Sequence, residues 1–243
     1  MTNVMEKIKV FCLPYAGGSS SIYFDWKEKY ASMAEIIPVE YSGHGSLFGE
    51  PLYMDADDLA TDICNRILSK KPQNYIIYGH SMGSMIGLLV IIKLEQKGYA
   101  PLPKCMIAGG TRPPHLKHKD EQLSHLPKDI FMKKIFDLGE MDAEILSEPD
   151  LVDMLYDIIY ADMKLSEDYK HDESLPRISV PMVIMTGSED IEAPLDEMEE
   201  WKTYTSNNFY IKEFDADHFF PFKHGKFDGY FLDMIDKANK SLL

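Results

Sequence analysis

A chain of 243 residues, 45% hydrophobic and 27% charged, has an ordinary globular composition and is long enough to bury a sizeable core. Its formal net charge of −15 makes it a poor partner for phosphate backbones and argues against nucleic-acid binding. Three scattered cysteines (Cys12, Cys64, Cys105) form neither a CxxC pair nor a disulfide framework, no basic-then-apolar leader opens the chain, and no apolar run approaches the ~20 residues of a membrane span, so a cytoplasmic protein away from the membrane is expected.

Short apolar runs bounded by Gly, Pro or Asp recur along the chain. Ile8–Leu13 reads as a strand stopped by Pro14. Ile36–Tyr41 reads as a second, with Pro38 pointing to an edge position. Apolar spacing through Leu59, Ile63, Ile67 and Leu68 predicts a helix over Asp55–Lys70. Tyr75–Tyr78 is a third strand, followed by a helix over Met82–Lys97 that is apolar almost all round and therefore expected to be buried. Lys104–Ala108, Pro181–Thr186 and Phe209–Phe214 read as three further strands, and Phe227–Asn239 as a closing helix. This alternation predicts a mostly parallel α/β sheet with helices on both faces. Between about 111 and 177 the rhythm breaks: there is helical periodicity and no convincing strand. That stretch is expected to be a helical lid inserted in a single domain spanning 1–243, the alternative being a long crossover.

The segment Tyr75–Gly83, YIIYGHSMG, brings an apolar strand to Gly79, places Ser81 two residues on, and adds Gly83 before the buried helix. A G-x-S-x-G match alone arises by chance about one time in ten in a chain of this size. The strand-turn-helix setting makes it a candidate nucleophile elbow. A serine hydroxyl needs a base, and the base an orienting acid, in the order Ser, acid, His on this architecture. The fifth strand runs into TGSEDIEAP and the sixth into FDADHFFP. His218 is the expected base, and Asp190, three residues after Gly187, the expected acid in preference to Glu189. His80 lies in the elbow and should diverge from Ser81, and His44 is expected to be a loop residue near the site. His224 is too far past the strand, and His115, His118, His125 and His171 are expected at the surface. The oxyanion donors should be the N–H of Met82 and one from the LPYAGGSS loop after the first strand, Ala16 ahead of Tyr15. No GK[ST] follows that glycine pair, so it is not a P-loop.

The blocks FCLPYAGGSSSIYFDW, YSGHGS, YGHSMGSMIG, GGTRPPH, TGSEDIEAP and DADHFFP together resemble the type II thioesterases of nonribosomal peptide and polyketide synthesis, over nearly the whole chain. The resemblance implies an α/β-hydrolase fold with a mobile lid. It implies a free-standing editing enzyme that hydrolyses wrong or stalled acyl groups from the phosphopantetheine arm of carrier domains. It matches Ser81 to the nucleophile, Asp190 to the acid, His218 to the base, and Ala16 and Met82 to the oxyanion positions. The partners implied are acyl- or peptidyl-carrier domains, with no cofactor or metal beyond what the substrate carries, and a monomer is expected. Three positions depart from the family's pattern. Asp217 stands where a Gly often precedes the base, Ser42-Gly43 replaces a Pro-Gly, and Tyr160-Ala161-Asp162 lacks the Arg of an Arg-x-Asp. A small-molecule carboxylesterase with the same triad is the main alternative, and a non-catalytic carrier-binding protein the more distant one. Lys117, Lys119, Lys128, Lys133 and Lys134 cluster early in the expected lid, as solvated helix charges or else as a docking patch.

Overall fold

The computed structural model describes residues 7–116, 122–138, 148–223 and 225–243. Six strands form one sheet: β1 Ile8–Leu13, β2 Ala34–Pro38, β3 Tyr75–His80, β4 Met106–Gly109, β5 Met182–Gly187 and β6 Phe209–Phe214. Their order is β2-β1-β3-β4-β5-β6, and every pairing is parallel. β3 and β5 are buried at every position, which is why they read as unbroken apolar runs.

Side chains alternate between two cores. Phe11 and Leu13 of β1 join the core under helices α2 (Ala56–Lys70) and α3 (Met82–Gln96). Val10 and Cys12 join the opposite one, with Trp26 from α1 (Phe24–Lys29) and Phe227 and Phe231 from α8 (Gly225–Asn239). Helix α2 is started by Asp55, whose Oδ1 accepts from the N–H groups of Asp57 (2.8 Å) and Asp58 (3.1 Å). α1 escapes a periodicity search because six residues hold fewer than two turns; burial of Trp26 is what holds it.

The second strand differs from its expected span. It begins at Ala34 and ends at Pro38, instead of running from Ile36 to Tyr41. Val39 N still donates to Cys12 O at 2.9 Å, but the chain then leaves the edge. Tyr41 turns inward and its hydroxyl donates to Pro14 O at 3.1 Å. Its burial under the end of β1 outweighs its strand propensity.

Between β4 and β5 lie a 3-10 turn (Leu123–His125) and two helices, α4 (Lys128–Leu138) and α5 (Pro149–Asp168), with no strand among the described residues. They share a small separate core of Leu123, Phe131, Met132 and Ile159. Two short helices, α6 (Leu195–Met198) and α7 (Phe220–Lys223), follow β5 and β6.

This strand order has a functional consequence. From β1 the chain crosses to β2 on one side, whereas from β3 it crosses to β4 on the other. The carboxyl ends of β1 and β3 therefore flank the point where connections diverge, the place where open α/β sheets leave a crevice. The loop carrying Ala16 follows β1, and Ser81 follows β3.

Candidate active site

Ser81 sits between β3 and α3 with φ +52° and ψ −123°, a conformation that a non-glycine residue holds only when its surroundings enforce it. The enforcement is visible. Ser81 N donates to Gly109 O of β4 at 2.8 Å. Ser84 Oγ lies 3.0 Å from Gly79 O and 2.8 Å from Gly109 O, and Gly109 N donates back to Ser84 Oγ at 3.0 Å. A side chain at Gly79 would overlap the Gly83 carbonyl, and one at Gly83 would overlap that of Leu13. Both flanking glycines are thus required by close backbone approach. Met82, the first residue of α3, has an N–H with no acceptor within its own helix and stands at the positive end of the helix dipole.

Asp190 lies in the loop after β5 and His218 in the loop after β6. His218 Nδ1 and Asp190 Oδ2 are 2.9 Å apart. Asp190 Oδ1 accepts from Glu192 N at 3.0 Å, so both carboxylate oxygens are engaged and the group is buried, whereas Glu189 is exposed. The loop carrying Asp190 is braced from β4's side: Arg112 Nη2 donates to Ile191 O at 3.0 Å, and Arg112 Nε pairs with Glu197. With its Nδ1–H given to the carboxylate, His218 keeps Nε2 available as a proton acceptor. A methyl placed on Gly110 would lie 3.2 Å from His218 Cε1, which sets the candidate base one residue beyond the Gly109 carbonyl that holds Ser81.

In the loop after β1, Gly18 N donates to Tyr15 O (2.9 Å) and Gly17 N to Asp162 Oδ2 (2.7 Å). Among the described residues the Ala16 N–H meets no acceptor. The tyrosine hydroxyls of Tyr23 and Tyr41 tether the start of this loop through Leu13 O (2.8 Å) and Pro14 O (3.1 Å).

The remaining histidines separate by environment. His80 is fully buried beside His218, their rings 5.0 Å apart, among Tyr15, Phe220 and Phe222. Burial pushes its pKa well below the usual histidine value and the neighbouring His218 adds to this, so it stays neutral. His115 and His125 are exposed and His171 half-buried. His118 and His224, like Lys117 and Lys119, lie outside the described residues. His44 is more than a loop residue. Its ring is buried, Nε2 lies 2.9 Å from Asp162 Oδ2, and Nδ1 lies 3.0 Å from Ser42 O. Asp162 itself carried no role in the sequence; the missing Arg two residues earlier was the only sign that its neighbourhood was unusual.

The chain matches the model of the Thioesterase domain family over residues 8–238. It belongs to that family. It is 28% identical over 217 residues to the linear gramicidin dehydrogenase LgrE of Brevibacillus parabrevis, covering 88% of this chain and 82% of that one. It is 27% identical over 217 residues to thioesterase PikA5 of Streptomyces venezuelae, covering 88% and 75%. In structure it is similar to RedJ, the thioesterase of the prodiginine pathway in Streptomyces coelicolor, with a TM-score of 0.85, 25% identity, and coverage of 95% and 90%.

This thioesterase therefore has the α/β-hydrolase fold, and its chemistry is thioester hydrolysis. Thioesters suit such a site because the carbonyl is electrophilic and a thiolate leaves readily, so the leaving group needs little protonation. The acid next to the candidate base, Asp217, turns its charge elsewhere: Oδ1 accepts from Phe219 N (2.9 Å) and Oδ2 pairs with Lys223 (3.2 Å).

Proposed function

We propose that this thioesterase is a free-standing editing enzyme that removes aberrant or stalled acyl groups from the phosphopantetheine arm of carrier domains, with Ser81 as nucleophile, His218 as base and Asp190 as its orienting acid. His218 takes the Ser81 proton as Oγ attacks the thioester carbonyl. The amides of Ala16 and Met82 stabilise the oxyanion. The thiolate departs, and water activated by His218 releases the carboxylic acid. The substrate brings its own phosphopantetheine, and no further cofactor enters these steps. The observation carrying this reading is the Asp190–His218 pair, held at the same sheet edge as the strained Ser81 elbow in a chain of the thioesterase family.

The helices of 111–177 act as the lid in this account. Of the lysines early in that segment, Lys128 is engaged by Asp153 (2.7 Å) and lies over the Tyr156 ring (4.4 Å). Lys133 remains exposed there.

The deciding experiment loads a carrier domain with acetyl-phosphopantetheine and follows loss of acetyl by intact mass, with Ser81→Ala beside it. Acetyl-coenzyme A and a simple ester serve as free substrates. Rapid Ser81-dependent unloading, with slower turnover of the free substrates, supports editing. Equal or faster turnover of the simple ester makes the protein a general carboxylesterase instead.

A further inference from the structure

Three segments far apart in sequence meet behind the candidate oxyanion loop. One oxygen, Asp162 Oδ2 on α5, accepts from Gly17 N (2.7 Å) in the loop after β1 and faces His44 Nε2 (2.9 Å) in the loop after β2. Glu40, at the exit of β2, joins the same two loops. It accepts from Ser20 N (2.9 Å) and Ser20 Oγ (2.8 Å) on one side and from Ser46 N (3.0 Å) on the other. α5 also touches Gly17 through Ile159, three residues before Asp162 and so on the same helix face. With φ +76° and Ile159 Cγ1 2.8 Å from where a Cβ would stand, Gly17 has no room for another residue.

The hydrogen-bond chemistry favours a charged His44 in this cluster. Both ring nitrogens of His44 face atoms that only accept: the Ser42 carbonyl at Nδ1 and the Asp162 carboxylate at Nε2. With the carboxylate ionised, both contacts are satisfied by an imidazolium. Burial alone would lower the pKa of His44, but the Asp162 hydrogen bond and charge, with Ser42 O and the Glu40 carboxylate, raise it above the usual value. The other polar ring facing it, Tyr41, is kept neutral by burial.

We propose that Asp162 is a positioning residue for acyl transfer: by accepting the Gly17 N–H it fixes the loop that presents the Ala16 N–H to the oxyanion, with His44 as the partner that holds its carboxylate in place. This rests on the Ser81 and Ala16 assignments above. Gly17 follows Ala16 directly, so the bond to Asp162 orients the peptide plane next to the donor. Because Asp162 belongs to α5, a shift of that helix and a loosening of the oxyanion loop become one event. A lid displaced by a docking partner then adjusts the site electronically as well as sterically.

The test compares wild type, Asp162→Ala and Asp162→Asn on acetyl-coenzyme A, with competent sites counted by fluorophosphonate labelling and Ser81→Ala as the blank. Asp162→Ala should lower kcat per labelled site on the order of 10²-fold with KM changed less than about threefold, the signature of a misplaced transition-state donor. Asp162→Asn keeps an oxygen for Gly17 N–H and should stay within about tenfold of wild type. Unchanged kcat per site in Asp162→Ala, or Asn as damaging as Ala, overturns the proposal. Failure of wild type to label, or labelling of Ser81→Ala, would instead strike the nucleophile assignment itself, so the two failures are distinguishable.

Discussion

Asp190 meets His218 at Nδ1, at 2.9 Å; Asp162 meets His44 at Nε2, also at 2.9 Å. Asp190, His218 and His44 lie on loops at the carboxyl edge of the same parallel sheet and Asp162 reaches that edge from α5, yet the two pairs are suited to different tasks. In the first the carboxylate takes the nitrogen nearer the backbone, leaving Nε2 outward on a side chain 21% exposed. In the second Nδ1 is already given to Ser42 O, the ring is 3% exposed, and no nitrogen remains to move a proton. A carboxylate–histidine pair becomes a proton-transfer device or a structural tie according to which nitrogen is left over. Burial and the nearest backbone carbonyl decide that.

The widest separation between the two pairs should come from removing proton transfer. Ser81→Ala or His218→Ala is expected to cost on the order of 10⁴–10⁶ in kcat. His44→Ala, also a lost imidazole, should fall far short of that per labelled site. An equal collapse in His44→Ala, with folding intact by circular dichroism, would make His44 part of the chemistry and end the distinction.

Next come the carboxylates, changed to the same isostere. Asp190→Asn should lower kcat about 10⁴-fold, because the amide no longer holds the His218 tautomer. Asp162→Asn should cost less than about tenfold, since its oxygen still accepts the Gly17 N–H. Steady-state kinetics on one soluble thioester compares them directly; similar losses would mean that the two carboxylates are doing the same job.

Stability should order the pairs the other way. His44→Ala leaves the buried Asp162 carboxylate without its counter-charge, a loss expected to cost about 3–5 kcal/mol. His218→Ala also takes a partner from buried Asp190, but Asp190 Oδ1 keeps the Glu192 N–H and the lost ring was partly exposed, so the cost should be smaller, about 1–3 kcal/mol. Urea unfolding of the two variants decides it, and a His44→Ala midpoint matching wild type would show that the buried pair contributes nothing net.

The difference between the pairs also marks where sequence stops being informative. Ser81, Asp190 and His218 stand out because each follows an apolar strand within a few residues, in a chain order set by the fold, so local pattern suffices to nominate them. The Asp162 contacts span 145 positions to Gly17 and 118 to His44. On α5, an Asp pointing inward and one pointing to solvent fit the same loose amphipathic spacing. The sheet shows the same limit: runs buried on both faces were legible, while the end of β2 depended on Tyr41 finding the underside of another strand's loop. The α1 turn depended on Trp26 finding Tyr78 and Phe231 across the opposite core.

The smallest expected effect is a pH dependence confined to the structural pair. Because the folded-state pKa of His44 is raised, the folded chain binds more protons than the unfolded one in the interval between the two values. The pair's contribution should be complete below the unfolded histidine value of about 6.5 and decline as pH rises through the folded value. Glu40 does not titrate in that interval, since, against the opposing effect of burial, hydrogen bonds from Ser20 and Ser46 hold it below the usual carboxylate range. The quantity to follow is the gap in unfolding free energy between wild type and Asp162→Asn, from about pH 6 to 9. Loss of the carboxylate removes the main support for the imidazolium, so the gap should be widest at the acid end and narrow upward. A gap that stays level or grows with pH would mean that His44 is neutral in the folded protein, with the shared proton on Asp162, and the tie would then be a neutral hydrogen bond instead of an ion pair.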